Sequence, residues 1–271
     1  MKNSLVLFIL FFISCSQLKV VSYNIRYESP NKDINSWENR KYYVNKFLLN
    51  ENPDFIGLQE VTGSQLQDLL KSLINHSYIG VGRDDGMDKG EYSPIFFNKN
   101  KFKVLFHDTF WLSNTPEKVS IGWDASMERI CTYGLFEEIF SKKRIWFFNT
   151  HFDHIGNVAR KKSMDLIIQK INKVNSEDIP LILAGDFNLE DDNFSIKKIQ
   201  NQLTDVLFNI KKSNKLYSTF NNFNSGDISG KRIDYIFIKN LKNIKSTHVH
   251  LKTSSKNWAS DHHPVLSELK F

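Results

Sequence analysis

Asp186 and Asn188 close the run "IPLILAGDFN", where a strand-like apolar stretch gives way to a carboxylate and an amide two residues apart. Similar endings recur along the chain. "VVSYN" ends in Asn24, "FIGLQE" in Glu60 and "WFFNTH" in His151; "RIDY" carries Asp234, and "SDHHP" brings Asp261 and His262 just ahead of a last apolar run. A single polar strand end is ordinarily a turn or cap residue. Half a dozen segments ending in acid, amide or imidazole imply that the ends converge. The set holds carboxylates, carboxamides and two histidines, with no cysteine and no serine beside a plausible base. Hard oxygen donors such as Glu60 and Asp261 suit Mg2+ or Mn2+, which keep several waters and are held by one or two carboxylates. "HFDH" (151–154) and the adjacent His262 and His263 leave zinc as the alternative. A hard cation flanked by imidazoles suits phosphate-ester hydrolysis. The cation neutralises charge on phosphate oxygens, a carboxylate deprotonates water, and protonated histidine stabilises the transition state.

The elements that must position these groups are read from periodicity. Strand patterns rich in Val, Ile, Phe and Tyr occur at 18–25, 53–60, 93–98, 102–112, 129–140, 144–151, 179–186, 232–238, 246–252 and 264–271. Helical spacing occurs at 36–50, 64–75, 157–174 and 195–203. Trp37, Val44, Phe47 and Leu48 form an apolar stripe on the first helix, and Pro53 stops it. Gly and Ser concentrate in "NNFNSGDISGK" (221–231), a surface loop by composition. Strands with interleaved helices predict one α/β domain over 18–271, with two sheets packed face to face and helices outside.

The chain has 271 residues, 41% hydrophobic and 24% charged, which is ordinary for a chain that buries a proper core. Its net charge of +6 is spread over short basic clusters such as "ARKKS" (159–163); it is compatible with an anionic substrate without demanding nucleic acid. At the N-terminus, Lys2 precedes an apolar run from Leu5 to Ile13, the size of a signal-peptide core and too short to span a bilayer. Cys15 after "FIS" resembles the lipobox of bacterial lipoproteins, although Phe12 replaces the usual leucine-like residue. Residues 1–15 are therefore expected to be a signal segment and Cys15 a lipid-modified anchor, giving an exported, membrane-tethered protein. Secretion after cleavage, or an uncleaved anchor, are the alternatives. Cys131, the only other cysteine, sits in a strand pattern and is expected to be a small buried apolar residue.

The ordered set "SYNIR", "GLQE", "GEYSPIFFN", "NTHFDH", "AGDFN", "RIDYIF" and "SDHHPV" resembles the endonuclease/exonuclease/phosphatase superfamily, of deoxyribonuclease-I-like fold, across nearly the whole chain. The resemblance implies a four-layered α-β-β-α sandwich with two central, mostly antiparallel sheets and a site at one edge of them. It implies Glu60 as principal metal ligand, with Asn24 beside it and Asp261 completing the shell. By the same resemblance Asp186 orients or deprotonates the attacking water, and Asn188 holds a phosphate oxygen or binds the metal from the other side. His262 contacts the phosphate and is kept charged by Asp234; His151 is the second phosphate-facing imidazole, with Glu91 as its carboxylate partner. Arg129 falls at a phosphate-side arginine position. Arg26 stands where other members carry an acid, which implies one dominant metal site.

Trp37, Arg40 and Trp123-Asp124 lie in segments similar to a bacterial branch near the deadenylase-type exonucleases, with Arg40 expected either near the site or in a helix salt bridge. Asp153 has an even claim on the cleft. His154, His263, Trp111 and Trp258 read as packing residues, Trp258 with an option on the pocket rim. The expected activity is Mg2+- or Mn2+-dependent phosphodiester hydrolysis on nucleic acid or nucleotides. A phosphatase or phosphodiesterase acting on phosphoinositides, phospholipid headgroups or sugar phosphates is the alternative. An inactive surface-binding member is a third reading, at odds with the full set of acids and histidines. A monomer is expected.

Overall fold

The computed structural model describes residues 17–30, 32–224 and 230–271, so the expected signal segment and Cys15 fall outside the described residues. Ten of the twelve strands among these residues correspond to the periodic runs. The first sheet comprises β1 (Gln17–Asn24), β2 (Phe55–Gln59), β3 (His76–Ile79), β4 (Ile95–Asn98), β11 (Lys242–His248) and β12 (Val265–Lys270), in the order β11-β12-β1-β2-β4-β3. The second comprises β5 (Phe102–Trp111), β6 (Ile130–Glu138), β7 (Arg144–His151), β8 (Leu181–Asp186), β9 (Thr204–Asp205) and β10 (Asp234–Lys239), in the order β5-β6-β7-β8-β10-β9. Among the described residues only β1–β2 and β7–β8 pair in parallel. Parallel neighbours need a crossover, supplied by α1 (Trp37–Glu51) and α3 (Asn157–Val174); α2 (Gly63–Ser72) and α4 (Phe194–Gln200) complete the outer layers.

Side-chain alternation along the strands builds four layers. In β8, Ile182 and Ala184 face the inter-sheet core with Phe55, Phe147 and Ile236, while Leu181 and Leu183 face α3 and α4 through Met164, Ile167 and Ile196. On the other flank Val21, Tyr23, Ile56 and Leu58 pack on Trp37, Val44, Leu48 and Leu69 of α1 and α2. These layers form the expected deoxyribonuclease-I-like α-β-β-α sandwich.

The helix ends follow local chemistry. α1 stops at Asn52, whose left-handed φ of 43° precedes Pro53. α2 opens with a capping box between Thr62 and Gln65. α3 has only Gly156 at its cap position, and Asp124 from a distant loop accepts from Val158 N and Ala159 N instead.

Three elements differ from expectation. β3 and β9 are too short to show a period. The strand expected at 246–252 runs instead over Lys242–His248, because β12 pairs with it through Lys242↔Lys270 and His248↔Val265. Val249 and Leu251, which gave the alternating pattern, leave the sheet and pack against the core flanking α1.

Candidate active site

Two rows of strand ends face one another at one end of the sandwich. In the second sheet, pairing sets His151 and Asp234 opposite Asp186, so β7, β8 and β10 present imidazole, carboxylate and carboxylate side by side. In the first sheet β2, β1 and the segment entering β12 present Glu60, Asn24 and Asp261-His262. Glu60 turns into the cleft because its φ is 60°, a left-handed conformation that ends the strand. The rows join at two points: Asn24 Nδ2 donates to Asp186 Oδ2 at 3.0 Å, and His262 Nδ1 donates to Asp234 Oδ2 at 2.9 Å. All these residues are buried.

Charge balance explains the individual groups. Burial works against the His262 imidazolium, yet Asp234 on one side and Asp186, 3.7 Å from Nε2, on the other hold its pKa well above the ordinary value. Burial, and then Asp234, push Asp186 up to about 7. Burial opposes ionisation of Glu60, but Arg26, the Asn24 amide and the Tyr27 N–H hold its carboxyl below the usual value. Asp261 is pushed up by burial, with Glu60 adding to the push against the pull of His262.

His151 departs from expectation. Its Nδ1 faces Arg129 Nη1 at 3.1 Å; arginine only donates, so Nδ1 accepts and Nε2 carries the proton, 3.4 Å from Asp186 Oδ2. Burial and the Arg129 cation push its pKa well below the ordinary value. The expected partner, Glu91, lines the cleft, but Arg83 takes both of its oxygens at 2.8 and 3.1 Å. His151 is thus a neutral imidazole placed by arginine. Arg129 is itself seated by Asp153, which also accepts from Ser126, Ile155 and Gly156, and it reaches His154 Nδ1 at 3.1 Å. Asn188 Nδ2 lies 3.3 Å from His151 Nε2 and donates to Phe152 O.

Asn24 also differs from its expected part. Between two carboxylates the amide turns its nitrogen inward, to Glu60 Oε1 and Asp186 Oδ2, and its oxygen accepts from Arg26 N. It spaces the acids rather than offering them a third oxygen. Asp186, Asp234 and His262 have polar atoms mutually within 4.8 Å. The His262 cation already stands in that gap, hydrogen-bonded to Asp234 and 3.7 Å from Asp186. The fit for a hard divalent cation lies at Glu60 and Asp261. These buried carboxylates repel one another, and the half-exposed Arg26 guanidinium lies between them, 3.5 Å from Glu60 and 3.7 Å from Asp261.

The cleft they line has a volume of about 430 Å3 and is walled by Arg26, Tyr27, Met127, His154, Phe220 and Asn222 as well. A roomier cavity of about 590 Å3 beside β9 lies apart from this cluster. Several supporting residues were invisible to sequence reasoning. Gln59 Nε2 donates to Asn149 Oδ1 at 2.7 Å, and Asn149 donates on to the Leu58 and Pro94 carbonyls, tying the sheets together beneath the site. Thr219 Oγ1 accepts from Ile233 N and Asp234 N, and Phe220 sets its ring edge-on to His262. The stretch at 221–231 is not wholly a surface loop: Asn221 is buried, with Nδ2 on the Ser260 carbonyl. Gln59 and Asn149 stood inside "GLQE" and "NTHFDH" with no sign of their pairing, and Thr219 and Asn221 showed only as polar residues in a loop.

Among the described residues Arg40 has no salt-bridge partner, on the helix or elsewhere. It is buried and donates to the carbonyls of Asn35, Ile25, Ala259 and Arg26. Trp37 donates to Asp68, Trp111 to Arg83 O and Trp258 to Asn224 O; Trp258 is buried against His250 and His263 and takes no part in the rim.

Fold and site together define a phosphoesterase-type sandwich. The chain belongs to the endonuclease/exonuclease/phosphatase family, whose sequence profile matches residues 21–262. It is similar to a family protein from Bacteroides thetaiotaomicron (34% identity, TM-score 0.86, covering 95% of this chain and 98% of that one). It is equally similar to a mannosyl-6-phosphatase of the same organism (34% identity, TM-score 0.86, 94% and 100% coverage). A protein of Acanthamoeba polyphaga mimivirus, L388, is 30% identical over 219 residues, 78% of this chain and 76% of the relative.

Proposed function

We propose that this protein is a divalent-cation-dependent phosphoesterase that removes phosphate from a small hydroxyl-bearing compound of the sugar-phosphate kind. The observation that carries the hydrolytic reading is the His262 imidazolium, held between Asp234 and Asp186 and facing Arg129 and His151 across the cleft. A small substrate is favoured over a long strand because the cleft is compact and the described Trp258 and Trp111 are buried. Stacking on exposed aromatic side chains is what grips single-stranded nucleic acid. The 34% identity to a mannosyl-6-phosphatase points the same way.

Glu60 and Asp261 would hold the cation, which when bound neutralises charge on the phosphate oxygens and acidifies water. Asp186, lifted to about 7 by burial and Asp234, is poised to accept a proton from the attacking water near neutral pH. His262 donates from Nε2 to a phosphoryl oxygen while Asp234 fixes its ring and charge. Arg129 meets a second oxygen, and neutral His151 donates without adding a cation. Asn188, whose left-handed φ of 49° turns it at the strand end, orients the third oxygen.

The test is a substrate panel with Mg2+ or Mn2+: mannose 6-phosphate and other sugar phosphates against single-stranded DNA and RNA. Turnover of the sugar phosphates well above the polymers supports the reading, and the reverse order overturns it in favour of a nuclease.

A further inference from the structure

The end of the sandwich away from the cleft has its own character. β1 begins there at Gln17, opposite Lys270 of β12, which in turn pairs with Lys242 at the start of β11. The turn from β6 to β7 reaches the same end, held by Ile139 N on Lys101 O, Lys142 N on Glu138 O and Glu138 N on Lys143 O. This braced turn carries Phe140, at 87% exposure the most exposed large apolar side chain among the described residues. Several bases nearby are paired, such as Lys103 with Glu137 and Arg144 with Glu177. Lys99, Lys143, Lys242 and Lys270 have no acidic partner within salt-bridge distance among the described residues, and Lys143 lies over the Phe271 ring.

The sequence places an apolar partner nearby. Only three residues separate the run Leu5–Ile13 from Gln17, and extended chain covers at most about 3.6 Å per residue. Whatever that run enters therefore lies within about 15 Å of the face where β1 begins. An exposed phenylalanine on a turn with Lys143, at a strand-end face shared with Lys242 and Lys270, is a composition that seats at a lipid headgroup boundary, with the ring in the acyl border and the cations on anionic lipid.

We propose that the end of the sandwich bearing Phe140, Lys143, Lys242 and Lys270 docks on an anionic bilayer surface, close beside the point where the N-terminal segment, by its apolar run or by a lipid on Cys15, is held to it. The cleft then opens away from the membrane, towards water-borne substrate. The inference stands apart from the hydrolytic reading, since none of these residues touches the cleft.

The test is hydrogen exchange on the full chain, with its N-terminal segment, mixed with phosphatidylcholine vesicles with or without phosphatidylglycerol. Amides of 140–143 should exchange several-fold more slowly on the anionic vesicles, with protection lost in high salt and in the F140S/K143E double variant. Amides at 188–193, beside the cleft, should exchange alike on both vesicles. Phe140 is exposed, so a thermal melt matching the parent chain separates lost docking from lost folding. A chain that stays off the anionic vesicles, unchanged exchange at 140–143, or protection at 188–193 instead would each overturn the proposal.

Discussion

Replacing Arg40 with methionine asks how much of the site depends on a cation that never faces the cleft. The guanidinium donates to Asn35 O at 2.6 Å, Ile25 O at 2.7 Å, Ala259 O at 2.9 Å and Arg26 O at 3.1 Å. Four such charge-assisted bonds, at roughly 1.5–3 kcal/mol each, sum to more than the net loss will be. Methionine keeps the alkyl packing, water follows into the gap, and the burial that pushes the Arg40 pKa down is relieved. An unfolding loss of about 3–5 kcal/mol is expected, as for other broken buried charge networks. Three of the carbonyls served, those of Ile25, Arg26 and Ala259, belong to the segments that carry Asn24 and Asp261, and misplacement by about 1 Å costs on the order of a hundredfold in rate. Urea unfolding followed by tryptophan fluorescence gives the first number, and single-turnover hydrolysis below the unfolding transition gives the second. R40K, which loses the guanidinium fork, should fall between the two. A loss under about 1 kcal/mol with full activity would show that water serves these carbonyls as well as arginine does.

Other outcomes are open to direct measurement. D234N should leave the fold intact and lower the turnover number by about a hundredfold or more, because His262 loses the charge that keeps it protonated; an unchanged rate removes His262 from the proposed role. A chelator should stop hydrolysis and Mg2+ or Mn2+ restore it, and calorimetry should show cation binding weakened in E60Q, since that change removes a buried carboxylate charge. His248 is buried with Nδ1 donating to Leu216 O, and burial, followed by Arg232, pushes its pKa down to about 3. The unfolded chain takes up that proton near 6.5 and the folded chain does not, so stability is full above about pH 6.5 and falls as the pH drops towards 3. Near pH 4.5 that amounts to about 3 kcal/mol, and pH-dependent melts should flatten in H248Q if it folds. Cys131 is buried, and burial raises its thiol pKa, so thiol reagents should label it only on unfolding.

The sandwich and the meeting of the strand ends were legible because period and polarity report locally what sheets do globally. "LILAGD" shows a buried strand, and its terminal acid shows where that strand stops. The partnerships were less legible. Glu91 seemed free for His151 until Arg83, eight residues upstream, claimed both its oxygens. Asn24 carries an oxygen and a nitrogen, and only the flanking pair Glu60 and Asp186 decides which turns inward. Arg40 offered a helix position and a charge, but three of its four carbonyl acceptors, Ile25, Arg26 and Ala259, lie on segments that become neighbours only after folding. Such choices depend on who stands third in a contact, which no single stretch of chain records.

Gly57 gives the seam between the sheets a further meaning. A methyl group there would come within 2.8 Å of Asn149 Oδ1, the atom that also receives the Gln59 amide. Alanine at this position would act as a shim, prising one half of the constellation from the other with every reacting side chain still present. Interlayer spacing is therefore an adjustable quantity through which remote packing changes can dim or retune turnover without altering a single polar group.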